Sequence, residues 1–117
     1  MKKFLALYLT PASVLDNWKA TPEEQRKEEE AKMQADWKAW MEKNGSYILE
    51  TAGAGATKRV TKDGTVDIKN DVMLYSLVEA ESHEEAAKIF VGHPHFGIPE
   101  ASIEIMVANV LPGMKDF

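Results

Sequence analysis

Apolar residues recur along this chain in two rhythms, and the order of those rhythms predicts the fold. Phe4 to Thr10 alternates as a strand does, with Leu5, Leu7 and Leu9 on one side and Phe4, Ala6 and Tyr8 on the other. Both sides are largely apolar, so both need cover. Pro11 to Ala20 reads as a connection whose Val14, Leu15 and Trp18 cover an edge of the sheet. Thr21 then opens a long helix with a hydroxyl cap, Pro22 at the first helical position and Glu24 at the reciprocal capping position, and Asn44-Gly45 is the matching stop. Met33, Trp37, Trp40 and Met41 share one face of it, whereas Glu23 to Glu30 carries no apolar residue. Only the C-terminal half is equipped to pack. The acidic first half is a solvated helix start or a docking surface for a basic partner, with Glu23–Lys27 and Glu28–Lys32 spaced to pair along it.

Tyr47 to Thr51 reads as a second strand, ended by Gly53-Ala-Gly55, which lacks the following helix start and Lys-Ser or Lys-Thr ending of a phosphate-binding loop. Thr57 to Thr61 and Thr65 to Ile68 flank Asp63-Gly64, a strong turn signal, and predict a polar hairpin projecting from the sheet. Val72 to Ala80 is apolar on both sides and belongs in the middle of a sheet. Ser82 caps a second helix with Glu85 at the reciprocal position, Ala86, Ala87, Ile89 and Phe90 give its buried side, and Gly92 ends it. Ser102 to Val110 is the last strand, with Ile103, Ile105 and Val107 opposed to Glu104, Met106 and Ala108, and the tail from Leu111 has no clear element.

Strand, helix, strand occurs twice, and right-handed crossovers place both helices on one face of the sheet. The expected fold is therefore α+β, a ferredoxin-like βαββαβ sandwich with an extra β-hairpin. Its uncovered face is expected to show Ala6, Tyr8 and Met106 with neighbours from the third main strand, a larger apolar patch than soluble monomers leave to water. A homodimer packed sheet against sheet, as a dimeric α/β-barrel, removes that exposure and buries on the order of 800 Å² per partner.

With 117 residues, the chain reads as one domain, 1–117, able to bury a core without metals or disulfides. A net charge of −5 argues against nonspecific nucleic-acid binding, which needs clustered Lys and Arg. The absence of cysteine excludes thiol chemistry and thiolate metal sites and leans towards a reducing, cytoplasmic setting. Lys2-Lys3 before Phe4 to Leu9 imitates a signal peptide, but the apolar run is too short and Thr10-Pro11 ends it without a small-residue cleavage site. No stretch approaches the ~20 apolar residues that span a membrane.

These elements carry a family resemblance. The opening strand Phe4-Leu-Ala-Leu-Tyr8, the helix end Trp40-Met-Glu-Lys-Asn-Gly45 and the hairpin Thr57-Lys-Arg-Val-Thr-Lys-Asp-Gly64 begin it. Tyr75-Ser-Leu-Val-Glu-Ala-Glu-Ser82, Glu85-Ala-Ala87, His93-Pro94 and Ile103-Glu-Ile-Met106 continue it. Their order resembles the YCII-related family, above all its DGPF-type branch, over nearly the whole chain. That resemblance implies a small dimeric α/β-barrel scaffold, some of whose members are similar to enzymes that eliminate chloride or rearrange small aromatic rings. Two departures qualify it. Val66-Asp-Ile-Lys-Asn-Asp71 stands where the branch carries Asp-Gly-Pro-Phe, and the long helix has no histidine to join Asp36 in the His and Asp pair proposed for other members.

Candidate chemistry concentrates at His93 and His95, since imidazole is the proton carrier suited to neutral pH and Pro94 fixes the backbone between them. They are candidate catalytic bases, or else they shape the exit from the second helix by bonding a carbonyl. A metal site there would need a third ligand from His83, Glu100 or Glu104, and no metal or cofactor is expected. Glu104 and Glu50 are candidate ligand-binding carboxylates in the dimer cleft, with Tyr8 and Tyr75 as aromatic walls that would raise a carboxyl pKa. Trp18, Trp37 and Trp40 belong to the core or wall a small pocket. Three readings compete: a homodimeric, cofactor-free small-molecule binder; a small enzyme of proton transfer, elimination or isomerisation using His93 or His95; and a dimerisation module whose cleft is filled by its own side chains.

Overall fold

A computed structural model describes residues 1–114. Its elements are β1 (Lys2–Leu9), α1 (Ala12–Lys19), α2 (Glu23–Asn44), β2 (Ile48–Gly53), β3 (Thr57–Thr61), β4 (Gly64–Ile68), β5 (Val72–Ala80), α3 (His83–Ile89) and β6 (Ser102–Val107), with short 3₁₀ turns at Gly45–Tyr47 and Pro94–Gly97. The main sheet is antiparallel in the order β2-β5-β1-β6, and β3-β4 form a separate two-stranded hairpin. This is the ferredoxin-like α+β arrangement, with the two doubly apolar strands β1 and β5 at its centre. The tail beyond Leu111 holds a turn, and residues 115–117 lie outside the described residues.

The faces of β1 are the reverse of the expectation, whereas β6 meets it, with Ile103 and Ile105 packed against the buried core and Met106 on the open side. Phe4, Ala6 and Tyr8 of β1 are buried beneath α2 and α3, together with Val78 and Ala80 of β5 and Ala86 and Phe90. The open face carries the other set. Leu5 pairs with Leu77 and Met106, Leu7 with Tyr75 and Glu104, and Leu9 with Val72 and Ser102. The reason is complementarity: Trp37 of α2 lies tilted and Phe90 edge-on against the Tyr8 ring, and Trp40 backs Phe90, an aromatic layer that suits a ring rather than leucines.

Several local expectations are corrected. Pro11 to Ala20 is a helix, Ala12–Lys19, whose Val14, Leu15 and Trp18 fall on one side at i, i+1 and i+4. The Thr21 hydroxyl therefore donates back to the Asn17 carbonyl at 3.3 Å, closing α1 instead of capping α2, which starts after Pro22 with no side-chain cap. Glu23–Lys27 pairs at 3.4 Å, but Lys32 turns to Asp36 at 2.9 Å, not to Glu28. Ser82 does cap α3, accepting from Glu85 N–H at 3.1 Å, while Ala87 faces solvent. β6 ends at Val107 rather than Val110, its last rung being the Ala108 N–H to Lys3 carbonyl bond at 3.1 Å.

The chain is flat and open. Its extents are 50 × 45 × 19 Å and its radius of gyration is 16.2 Å, against roughly 13 Å for a compact domain of this length. It exposes 8305 Å², whereas a compact monomer of 13.1 kDa exposes roughly 6400 Å². The excess is about 1900 Å², and the hairpin, the first half of α2 and the segment from Val107 to Met114 are among the exposed stretches.

Candidate functional site

Two features at the C-terminal end of β1 carry what chemistry the fold offers. The first is a sealed aromatic and histidine cluster. Gly92, at φ +77, turns the chain sharply out of α3, and Pro94 starts a 3₁₀ turn, so the two imidazoles swing back under the sheet and are each about 1% exposed. His93 lies edge-on to Trp37 and Trp40 at ring separations of 4.5 and 4.4 Å and stacks with Phe90 at 5.8 Å. Tyr8 sits 5.4 Å from His93 and 5.6 Å from His95.

The hydrogen bonds assign the tautomers. His95 backbone N–H donates to Nδ1 of His93 at 2.9 Å, so the neutral ring of His93 carries its proton on Nε2. Nε2 of His95 donates to the Leu9 carbonyl at 3.0 Å, pinning the loop to the end of β1 and leaving Nδ1 as a bare acceptor. Among the described residues, His93 Nε2, His95 Nδ1 and the Thr10 hydroxyl are buried with no hydrogen-bond partner. Burial, reinforced by neighbouring His95, lowers the His93 pKa to about 4. Burial lowers that of His95 too, partly opposed by the carbonyls of Leu9 and Ser102. Both rings are neutral at pH 7. Tyr8, its pKa raised by burial, is hydrogen-bonded to Ser76 at 2.7 Å, and Ser76 in turn to the exposed Thr51 at 2.7 Å.

The second feature is a cleft of about 1020 Å³ between α1, α2 and the 94–100 segment. Val14, Leu15, Trp18, Met33, Ile98 and Pro99 form its apolar walls, and Asn17, Gln34, Glu29, Glu30, Asp36 and Glu100 its polar edge. Trp18 is held in place by its Nε1–H to Glu29 at 3.3 Å and by the Arg26 guanidinium 5.8 Å from the ring centre. Pro94 lines the cleft, but neither imidazole does.

The sequence candidates are thus divided among three places. His93, His95 and Tyr8 share the sealed cluster, so Tyr8 is a core ring and not a wall of an open pocket. Tyr75, Glu50 and Glu104 fall on the open sheet face, Glu50 opposite Leu77 and Glu104 opposite Leu7. The expected bond from a histidine to a carbonyl exists, made at a strand end rather than a helix end. His83 is engaged elsewhere, donating from Nε2 to the Ile105 carbonyl at 2.8 Å and stacked 5.5 Å from Phe4. Among the described residues no group of three or more His, Asp or Glu could hold a metal ion. Nor is any helix long and apolar enough to cross a membrane. The cleft escaped sequence reasoning because α1 did. The i, i+1, i+4 spacing of Val14, Leu15 and Trp18 was the signal.

No family model and no curated protein matches the chain. Among solved structures it is similar to 5-chloro-2-hydroxyhydroquinone dehydrochlorinase (TftG) from Burkholderia phenoliruptrix AC1100, in complex with 2,5-dihydroxybenzoquinone. The two are 16% identical over 89% of this chain and 91% of that one, with a TM-score of 0.47.

Proposed function

We propose that this is a YCII-related, cytoplasmic homodimer that binds a small molecule, without a cofactor, in the cleft between α1, α2 and the 94–100 segment. The observation that carries the reading is the cleft itself, an open groove of about 1020 Å³ in which apolar walls meet polar and charged side chains able to orient a small molecule. The homodimer is supported by the exposed excess and by the apolar open face, which pairs Leu5, Leu7 and Leu77 in one patch. The experiment is a titration with a neutral apolar fluorophore, 1-N-phenylnaphthylamine, following energy transfer from tryptophan. Saturable binding, at one probe per chain, is expected. It should weaken about tenfold or more in Asn17→Trp, an exposed substitution that fills the cleft without touching the core. Equal binding by Asn17→Trp and the parent protein removes the cleft as the site.

One observation favours the enzyme as a second reading. Two buried imidazoles keep a free Nδ1 and an unpartnered Nε2–H, unspent hydrogen-bonding capacity of the sort proton transfer uses. A substrate in the cleft would then have to displace the Pro94 turn to reach them. The same titration, followed on the imidazole ¹⁵N signals, decides this. Movement of the His93 and His95 signals on saturation supports the second reading, and unmoved signals reject it.

A further inference from the structure

Two parts of the chain lie largely in solvent, and their charges are opposite. The β3-β4 hairpin stands clear of the main sheet, held by its own ladder and by the Lys58–Asp67 pair at 2.6 Å. Its remaining cations, Arg59, Lys62 and Lys69 at its foot, have no ion pair among the described residues, and Val60 and Val66 are 74% and 55% exposed. Such a polar arm with bare valines gains nothing by itself, since an isolated hairpin is marginal in water. On the far side of α1, the first half of α2 exposes Glu24, Glu28 and Glu30, also without ion pairs among the described residues. Glu24 and Glu28 are four apart on one face, a like-charge spacing that destabilises a helix until a cation settles between them.

We infer that the basic β3-β4 hairpin of one copy docks on the acidic first half of α2 in a second copy of this chain. Two observations select a second copy as the occupant, and symmetry would amplify them. The charges are complementary, since Lys58, Arg59, Lys62 and Lys69 outweigh Asp63 and Asp67 on the hairpin while Glu23 to Glu30 is acidic, inside a chain whose net charge of −5 otherwise repels its own kind. The chain exposes about 1900 Å² more than a compact monomer of its mass, more than the roughly 800 Å² that one protomer gives a standard interface. Two-fold symmetry makes the contact occur twice, doubling its effect on association. The inference rests on the homodimer proposed above for the presence of the second copy; Glu30 also edges the cleft, so the test reads association and not ligand binding.

Charge reversal in trans tests it. Variant one carries Arg59→Glu, Lys62→Glu and Lys69→Glu; variant two carries Glu24→Lys, Glu28→Lys and Glu30→Lys. All six positions are exposed, and circular dichroism checks that each variant folds. By sedimentation velocity, each variant alone is expected to dissociate at about tenfold or more higher concentration than the parent. An equimolar mixture should recover parental association as a heterodimer, because each copy then supplies the charge the other lacks. Raising NaCl from about 50 to about 500 mM should weaken the parent dimer and spare the two variants. A dimer indifferent to both reversals, or a mixture that fails to recover, overturns the arm contact while leaving the sheet-face dimer standing. A parent chain that is monomeric overturns both.

Discussion

The two faces of the central sheet invert the usual expectation, and the inversion locates what the fold is organised around. The face under the helices holds the polar groups: Thr10, Ser76, His93, His95 and the Tyr8 hydroxyl are all buried there among Phe4, Val78 and Phe90. The open face holds the leucines, with Glu50 and Glu104 among them: Leu5, Leu7 and Leu9 alternate with those buried residues and stay half-exposed beside Leu77 and Met106. Polar groups go inside only where hydrogen bonds or function offset their desolvation, and leucines stay outside only where something covers them. The covered face is thus a finished interior with an unusual composition, and the open face is left without cover in the single chain, which is the face that the proposed homodimer would bury.

Matched substitutions one residue apart break that comparison most strongly. Ala6, fully buried beneath the helices, leaves no route for an ammonium group to water, so Ala6→Lys should destabilise by about 4 kcal/mol or more and abolish the cooperative thermal transition. Leu7→Lys, on the open face, should leave the circular dichroism of the folded chain intact while raising the dimer dissociation constant about a hundredfold. If Leu7→Lys unfolds the chain as Ala6→Lys does, the two faces do not differ as claimed.

The histidines sharpen the same contrast through pH. His93 has a folded pKa of about 4 against an ordinary value near 6.5, so the unfolded chain binds its proton more readily. Its contribution is therefore complete above about pH 6.5 and is lost progressively as pH falls through 4, amounting to about 3 kcal/mol over that window. His95, shifted in the same direction, adds to the slope. Denaturant melts between pH 7 and pH 4 should show stability falling with acidity, and His93→Phe should flatten the fall by up to about one proton per chain. An unchanged slope in His93→Phe would place the titration elsewhere.

Much of this was legible in the sequence. The order of the strands and of α2 and α3, the hairpin, the Ser82 cap and the central place of β1 and β5 follow from period, turn chemistry and capping residues, all local. What was not legible depended on which neighbour arrives. β1 is apolar on both sides, so its alternation could not say whether Leu7 or Tyr8 faces the helices. The aromatic layer of Trp37, Trp40 and Phe90 decides it, and only Ser76, in phase with Val78 and Ala80, hinted that the covered face tolerates polar groups. α1 was missed because eight residues give barely two turns of periodicity, behind a proline that signals a loop as readily as a helix start. The His93 and His95 rings could not be oriented from spacing, since their direction is set by Gly92 and by a carbonyl 86 residues away at Leu9.

The smallest expected effect concerns the hydroxyl chain that joins the finished interior to solvent. Tyr8 bonds Ser76 and Ser76 bonds Thr51, each at 2.7 Å, so removing the phenol oxygen leaves Ser76 with one partner still in place. Tyr8→Phe keeps the ring contacts to Trp37, His93 and His95 and deletes only a bond that is already buried and shared. The cost should be about 1 kcal/mol, the net worth of one hydrogen bond with no orphaned partner. Chemical denaturation of Tyr8→Phe beside Thr51→Val reads this directly. Thr51→Val should cost less still, because its hydroxyl can exchange the bond for water at the exposed end. A loss in Tyr8→Phe of about 3 kcal/mol or more would mean that the phenol supports the unpartnered histidine nitrogens as well as Ser76. The polar interior would then be one connected network, and the histidine cluster would extend to the protein surface through Thr51.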